Sequence, residues 1–210
     1  MMTAQFLFSG PDGADVTLLL AHGAGAPMDS PWMNDMAGRL AARGMRCARF
    51  EFSYMASRRT AAGRKPPPRA ETLVGEYRAA VAALGCAGTL LIGGKSMGGR
   101  VASMVADELF AQRKIAGLAC LGYPFHPPGQ PAKLRTAHLQ ALATPALICQ
   151  GERDPFGTKA EVSGYTLSPH IELCWLTDGD HDFRPRKTST VTLGVNLDLA
   201  ADRIAGFAPS

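Results

Sequence analysis

The chain has 210 residues, of which 46% are hydrophobic and 19% charged, and its formal net charge is +4. A chain of this length and apolar content can bury one sizeable core, so we expect a single domain over residues 1–210. No stretch approaches the roughly 18 consecutive apolar residues of a membrane helix, and the N-terminus lacks a secretory-signal pattern. The small net charge does not indicate nucleic-acid binding. These features predict a cytoplasmic protein with no membrane or nucleic-acid partner.

Short apolar runs alternate along the chain with longer segments of helical periodicity. This alternation is typical of parallel strands joined by crossover helices, and the most apolar runs suit a sheet covered on both faces. The apolar runs predict seven strands, at Gln5–Phe8, Val16–Ala21, Met45–Phe52, Thr89–Ile92, Ile115–Leu121, Pro145–Gln150 and Ile171–Leu176. Helical periodicity predicts one helix after Asp29 or Ser30 and others around Leu73–Leu84, Val101–Leu109 and Val195–Ile204. The sequence therefore predicts an α/β fold with a mostly parallel sheet and helices on both faces.

Two irregular, proline-rich stretches, Ser53–Arg69 and Pro124–Pro131, each follow a predicted strand. We expect both to be surface loops at the C-terminal edge of the sheet, where α/β proteins place their sites. The first stretch is basic and contains Arg58, Arg59, Arg64, Lys65 and Arg69. Such a charge run is typical of a solvated loop, although it would also suit an anionic substrate or an acidic partner.

The five cysteines are scattered, with no C-x-x-C pair and no histidine at metal-ligand spacing. Most lie within apolar runs, so they are predicted to be small reduced core residues, with a nucleophilic or redox thiol as the alternative. Two histidines, His138 and His170, precede predicted strands and are expected to face solvent.

The most informative segment is LLIGGKSMGGR at residues 90–100, which joins an apolar strand to an amphipathic helix through a G-x-S-x-G pattern. This context is typical of a nucleophile elbow, a sharp strand-to-helix turn that exposes the serine Oγ. Gly94 and Gly98 provide the small residues that this crowded turn requires. The alternative, a phosphate-binding loop, needs a glycine where Thr89 stands. We therefore predict that Ser96 is a nucleophile.

A second strand ends in the small-residue loop His22-Gly23-Ala24-Gly25. Acyl transfer needs two N–H groups about 3 Å from the developing oxyanion, one after the nucleophile and one from an earlier strand-to-helix loop. Met97 N–H is predicted to be the first donor and Ala24 N–H the second, and an ordinary glycine turn is the alternative reading. His22 is expected to shape this loop rather than to act as a base.

An acid and a histidine follow the last two predicted strands. The order Ser96, Asp154, His181 is that of the serine hydrolases built on parallel sheets. His181 would take the proton from Ser96, and Asp154 would orient the imidazole. Glu152 is the rival acid, and His126 in the proline-rich loop is the rival base, although a structural role suits His126 better.

With these residues in view, the chain resembles a small α/β hydrolase related to the dienelactone-hydrolase-like enzymes. The resemblance is strongest to the branch that contains the testis-expressed hydrolase-like protein and a subunit of the nonspecific-lethal histone acetyltransferase complex. The matching motifs lie at residues 22–25, 93–100, 123–129 and 178–182. The resemblance implies an α/β-hydrolase fold, the triad Ser96, Asp154 and His181, and no metal or organic cofactor.

The chain between Phe125 and Pro145 is too short for a large lid, so we expect an open site. Residues predicted to contact substrate are Gly23, Gly25, Lys95 and His126. The leading hypothesis is a serine hydrolase that cleaves a small ester or thioester through an acyl-enzyme. The alternative is a non-catalytic protein of the same fold that binds a ligand or a protein partner.

Overall fold

The computed structural model describes residues 5–60 and 66–207. Within them, seven strands form one sheet: β1 (Phe6–Ser9), β2 (Val16–Ala21), β3 (Arg46–Phe50), β4 (Thr89–Lys95), β5 (Gly117–Leu121), β6 (Ala146–Gly151) and β7 (Ile171–Leu176). The α-helices are α1 (Pro31–Ala41), α2 (Ser53–Arg58), α3 (Val74–Leu84), α4 (Met97–Ala111), α5 (Lys159–Val162) and α6 (Leu193–Phe207). Short 3₁₀ helices occupy Ala70–Leu73 and Ala137–Leu139. Of the helices described, none is long and apolar enough to cross a membrane.

The strand order is β1-β3-β2-β4-β5-β6-β7, and only the edge strand β1 runs antiparallel to its neighbour. All the other neighbours are parallel, so the predicted mostly parallel sheet is confirmed. Parallel pairing brings the carboxyl ends of β2, β4, β6 and β7 to the same edge of the sheet. The loops that follow these four strands therefore converge there.

Helices cover both faces of the sheet, and the leucines of β2 show how one strand packs against the helices on each face. Leu19 packs in the core on the side of α3 and α4, whereas Leu18 and Leu20 pack on the side of α1 and α6. The alternation follows from the two-residue period of a strand. All three leucines are fully buried, and each contributes about 1.5–3 kcal/mol of hydrophobic stabilisation.

The stretch Ser53–Arg69 differs from its prediction as a loop, because it begins with the helix α2. Glu76 on α3 caps this helix by accepting hydrogen bonds from Ser53 N–H and Oγ–H, which replaces a local cap that the sequence lacks. Arg59 is not simply solvated, since it pairs with Asp29 and Glu51, both at 2.7 Å. The predicted basic residues Arg64 and Lys65 lie outside the described residues.

The cysteines and His138 test two further predictions. All five cysteines are free, and four are buried while Cys86 is partly exposed, so the reduced core role is confirmed for the four. Burial raises the pKa of the Cys47 thiol to about 12, which leaves it unreactive. The prediction for His138 is wrong: its Nε2 lies 2.8 Å from Ser103 Oγ, and burial lowers its pKa. His170 is exposed, as predicted.

Candidate active site

Ser96 lies between β4 and α4 in a strained backbone conformation, with φ 53° and ψ −117°. Positive φ is unfavourable for a residue with a side chain, and such strain is typical of functional turns. The turn requires the flanking glycines: a Cβ on Gly94 would lie 2.4 Å from Gly98 C, and one on Gly98 would lie 2.6 Å from Ala21 O. Ser96 N–H donates to Leu121 O at 2.9 Å. The backbone thus fixes the serine at the carboxyl end of the central strand.

His181 lies in the turn after β7 and bridges Ser96 to Asp154. Its Nε2 is 2.9 Å from Ser96 Oγ, and its Nδ1 is 2.8 Å from Asp154 Oδ2. The ring packs against Phe156, with centroids 4.3 Å apart. Because a carboxylate only accepts, Nδ1 carries the proton and Nε2 is free to accept one from the serine hydroxyl. The arrangement can therefore deprotonate Ser96.

Asp154 is fully buried, and each of its oxygens accepts a hydrogen bond. Oδ1 accepts from Phe156 N–H at 2.9 Å, and Oδ2 accepts from Gln150 Nε2 at 3.0 Å besides the bond to His181. Gln150, near the end of β6, shares its two amide hydrogens among Asp154 Oδ2, Tyr123 O and Gly157 O. These donors offset the cost of burying a carboxylate and fix its orientation.

Glu152, the rival acid, faces away from the histidine. It accepts from Asp178 N–H and from Lys159 Nζ, both at 2.9 Å. The backbone hydrogen bond is the main reason that the pKa of Glu152 is lowered, followed by the bond from Lys159. Glu152 therefore supports the start of the histidine turn, and Asp154 alone of the two contacts His181.

The loop after β2 lies beside the nucleophile. A Cβ on Gly23 would be 3.7 Å from Ser96 Cβ. The carbonyl of Ala24 accepts from Tyr54 Oη at 3.2 Å and from Arg58 Nη1 at 3.3 Å, both on α2. Among the described residues, no acceptor is bonded to the N–H groups of Ala24 or Met97. The two predicted oxyanion donors therefore have no competing backbone acceptor in this part of the chain.

His22 is a structural residue of this loop. Its Nδ1 donates to Gly23 O at 2.7 Å, and its Nε2 accepts from Phe52 N–H at 3.2 Å. Both nitrogens are thereby used in the neutral form, and burial lowers the pKa of the imidazole. His22 has no free nitrogen with which to act as a base.

A cavity of about 290 Å³ opens over Ser96. Its walls are mainly apolar, with small residues on the β2 side. It is lined by Gly23, Ala24, Gly25, Ala26, Ser30, Trp32, Met33, Lys95, Ser96, Phe156, His181 and Asp182. A second cavity, of about 400 Å³, lies at the start of β4 and is lined by Thr89, Lys114 and other residues. It is at the opposite end of the strand from Ser96, so we place the candidate site in the first cavity.

Of the four residues predicted to contact substrate, Gly23, Gly25 and Lys95 line this cavity. His126 does not, so its prediction is wrong: it is 2% exposed and packs beside the acid turn, with Nδ1 bonded to Pro127 O and Nε2 3.5 Å from Glu161. Lys95 lines the cavity, but its ammonium donates to the backbone oxygen of His181. Sequence reasoning missed Trp32 and Phe156, which meet the histidine turn from distant segments, and Gln150, which bonds Asp154 only four residues further along the chain.

A mostly parallel sheet with a serine elbow after β4, a buried acid after β6 and a histidine after β7 defines the α/β-hydrolase fold. The family model described as "Alpha/beta hydrolase domain" matches residues 14–209. The chain belongs to this family. No group of three or more potential metal ligands occurs within residues 5–60 and 66–207.

Solved structures with the same fold have low sequence identity to this chain. An α/β serine hydrolase homologue from Coxiella burnetii is 21% identical over 86% of this chain and 84% of that one, with a TM-score of 0.64. A dienelactone hydrolase from Anabaena variabilis is 19% identical over 98% and 93%, with a TM-score of 0.73. A serine hydrolase without a lid from Xanthomonas campestris is 18% identical over 99% and 90%, with a TM-score of 0.69. At these identities the similarity establishes the fold.

Proposed function

We propose that this protein is a serine hydrolase that cleaves a small ester or thioester through an acyl-enzyme. Ser96 is the nucleophile, His181 the general base and acid, and Asp154 the residue that orients His181. The observation that carries the proposal is the continuous hydrogen-bonded chain from Asp154 Oδ2 through His181 to Ser96 Oγ, with distances of 2.8 and 2.9 Å. Both distances are within the range that proton transfer requires.

In the first half of the reaction, Ser96 Oγ attacks the substrate carbonyl carbon while His181 Nε2 takes the hydroxyl proton. The oxyanion that forms accepts hydrogen bonds from Ala24 N–H and Met97 N–H, and the positive end of α4 favours its charge. The intermediate then collapses and expels the alcohol or thiol, which receives the proton from His181. The product of this half is the acyl ester of Ser96.

In the second half, His181 takes a proton from water, and the oxygen of that water attacks the acyl carbon. The second oxyanion collapses, the bond to Ser96 Oγ breaks, and the serine recovers its proton from His181. The carboxylic acid leaves. Asp154 stays ionised throughout and stabilises the imidazolium that forms twice in each turnover.

The cavity supports a small acyl group. Its volume of about 290 Å³ is near the lower end of ligand sites and roughly twice that of a cavity that holds one benzene. Trp32, Met33 and Phe156 form the larger apolar walls. We therefore propose short acyl chains as the preferred substrates.

The motifs at residues 123–129 and 178–182 support a place in the branch of the testis-expressed hydrolase-like protein. We propose that the protein belongs to this branch. Its cytoplasmic location stays a prediction.

The test is labelling of the native protein with a fluorophosphonate probe, together with hydrolysis of nitrophenyl esters. Ser96→Ala removes the nucleophile with little change in volume, so we expect normal folding, no labelling, and hydrolysis reduced by roughly 10³-fold or more. Ser103→Ala is a matched control on α4, because Ser103 Oγ bonds Arg100 O and His138 Nε2 and none of the triad residues. A folded wild-type protein that neither labels nor hydrolyses any ester would favour the non-catalytic binding protein instead.

A further inference from the structure

Lys95, the residue before the nucleophile, buries its ammonium group. The residue is 6% exposed, and Nζ donates to the backbone oxygen of His181 at 2.6 Å. Asp182 Oδ1 lies 3.3 Å from the same nitrogen. Charged groups are seldom buried without a role, because removing them from water is costly even when they are paired. A methionine would fill this space without that cost.

The surroundings of the ammonium fit it closely. Nζ lies 5.3 Å from the ring centroid of Trp32 and 5.8 Å from that of Phe183, which are cation–π distances. Gly122 has φ +65°, and a Cβ there would lie 3.2 Å from Lys95 Nζ and 3.0 Å from His181 O. Glycine at this strand end therefore leaves the room in which the lysine meets the histidine turn.

The backbone of the histidine turn is held at two successive carbonyls. Lys95 bonds the oxygen of His181, and Trp32 Nε1 bonds the oxygen of Asp182 at 3.1 Å. His181 is five residues beyond the end of β7, so the sheet alone does not fix its position. Because Lys95 directly precedes Ser96, its bond links the nucleophile elbow to the backbone of the base.

We propose that Lys95 is a positioning residue for the hydrolytic reaction: its cationic side chain holds His181 in register with Ser96, and Asp182 supports the cation. The inference rests on the proposed function. It assigns Lys95 to the chemical step and not to the binding of an anionic substrate, because the ammonium already has protein partners. A displacement of the base by 1 Å can cost about 100-fold in rate.

The charged groups around Lys95 make its role dependent on pH. Burial lowers the pKa of its ammonium, and Asp182, Asp154 and Asp180 oppose this effect in that order. The cation is therefore lost as the pH rises through this lowered pKa. Loss of the proton weakens the bond to His181 O, so kcat should fall on the alkaline side.

The first test compares Lys95→Met with Lys159→Met. Lys159 is the matched control, since its ammonium also meets a carboxylate, Glu152, and an aromatic ring, Trp175, but does not contact His181. For Lys95→Met we expect kcat to fall about 10- to 100-fold with KM within about threefold, equally on neutral and carboxylate-bearing nitrophenyl esters. The melting temperature should be unchanged or higher, because an apolar residue replaces a buried charge. Lys159→Met should match the wild type.

Two results of this comparison would overturn the proposal. One is a kcat for Lys95→Met equal to that of the wild type. The other is a KM that rises mainly for the carboxylate-bearing ester, which would make Lys95 a substrate-binding residue.

The second test measures kcat against pH and does not need Lys95→Met to fold. Asp182→Asn removes the carboxylate that contributes most to keeping the Lys95 pKa up. The pKa of Lys95 should therefore fall further, and the alkaline decline in kcat should move to lower pH than in the wild type. In Lys95→Met, if folded, that decline should be absent. An alkaline limb that does not move in Asp182→Asn would overturn the proposal. Failure of the proposed function is recognised separately: the wild type would then be inactive and unlabelled by fluorophosphonate, which overturns both.

Discussion

Asp154→Asn tests the assignment of the acid, because it changes one atom of a fully buried side chain. Two orientations of the new amide are possible. With its oxygen toward Phe156 N–H, its NH₂ group faces His181 Nδ1, which must then accept. That tautomer places the ring proton on Nε2, where it blocks removal of the Ser96 proton. With the amide reversed, His181 has the productive tautomer, but the amide NH₂ group then faces another donor, Phe156 N–H.

The contacts of Asp154 give the size of the effect. The reversed amide leaves Phe156 N–H without an acceptor, and the first orientation sets its NH₂ group against the donor Gln150 Nε2, so neither orientation restores the native hydrogen bonds. Even the productive orientation lacks the charged hydrogen bond to His181, worth about 1.5–3 kcal/mol. The loss of that bond alone slows kcat about 10- to 100-fold, and the unproductive tautomer of His181 extends the expected loss to roughly 10²- to 10⁴-fold. The upper figure is that known for acid-to-amide changes in other Ser-His-Asp enzymes.

The assay is ester hydrolysis by Asp154→Asn and by its matched control, Glu152→Gln. The control changes a carboxylate two residues away, and its amide oxygen can still accept from Asp178 N–H. We expect it to stay within about threefold of the wild type. Circular dichroism and thermal melting establish that both variants fold. If folded Asp154→Asn were within tenfold of the wild type, or if Glu152→Gln were the slower variant, the assignment of Asp154 would be wrong.

Two other predictions concern the cavity and the loop after β2. Trp32→Ala should widen the cavity. The ratio of kcat/KM for a longer acyl ester to kcat/KM for a butyryl ester should then rise about tenfold, which is the discrimination that one well-packed methylene provides. Trp32→Phe keeps most of the bulk and should retain the short-chain preference; an unchanged preference in both variants would refute this role. Burial lowers the pKa of His22 from its ordinary value of 6.5, so the unfolded chain binds the proton first and the free energy of unfolding should fall as the pH drops below about 6.5. Denaturant unfolding at a series of pH values should show this decline. In His22→Gln the free energy of unfolding should fall less steeply with pH, by at most about 1.4 kcal/mol per pH unit. An equally steep fall in the wild type and the variant would contradict this role of His22.

The regular elements were largely predictable because each apolar run carries its own signal. The predicted bounds of β2 and β7 are those observed, since both runs end at polar or small turn residues. β4 was predicted to end at Ile92 but continues to Lys95, because Gly93 and Gly94 pair with Ala119 and Cys120 of β5. Pairing with a neighbouring strand, which a single segment does not reveal, overrides the low strand propensity of glycine.

The predicted triad residues are adjacent because the sheet brings successive strand ends together. The residues that support them were not predictable in the same way. The bond from Trp32 to Asp182 joins residues 150 apart in sequence, and that from Lys95 to His181 joins residues 86 apart. The α2 helix likewise depends on a cap from Glu76, 23 residues beyond Ser53. Such contacts exist only after the core has formed, so local patterns carry no trace of them.

The short connection between β5 and β6 also affects how binding energy is used. The described chain there forms one 3₁₀ helix and loops, and the cavity over Ser96 is open without any movement. An enzyme gated by a lid loses apparent affinity in proportion to the fraction of closed molecules. In the reaction proposed for this protein, the cavity needs no opening step, so substrate contacts are available in full to the reaction. The cost is that bulk water reaches the oxyanion, whose hydrogen bonds therefore act in a more strongly screening medium than under a closed lid.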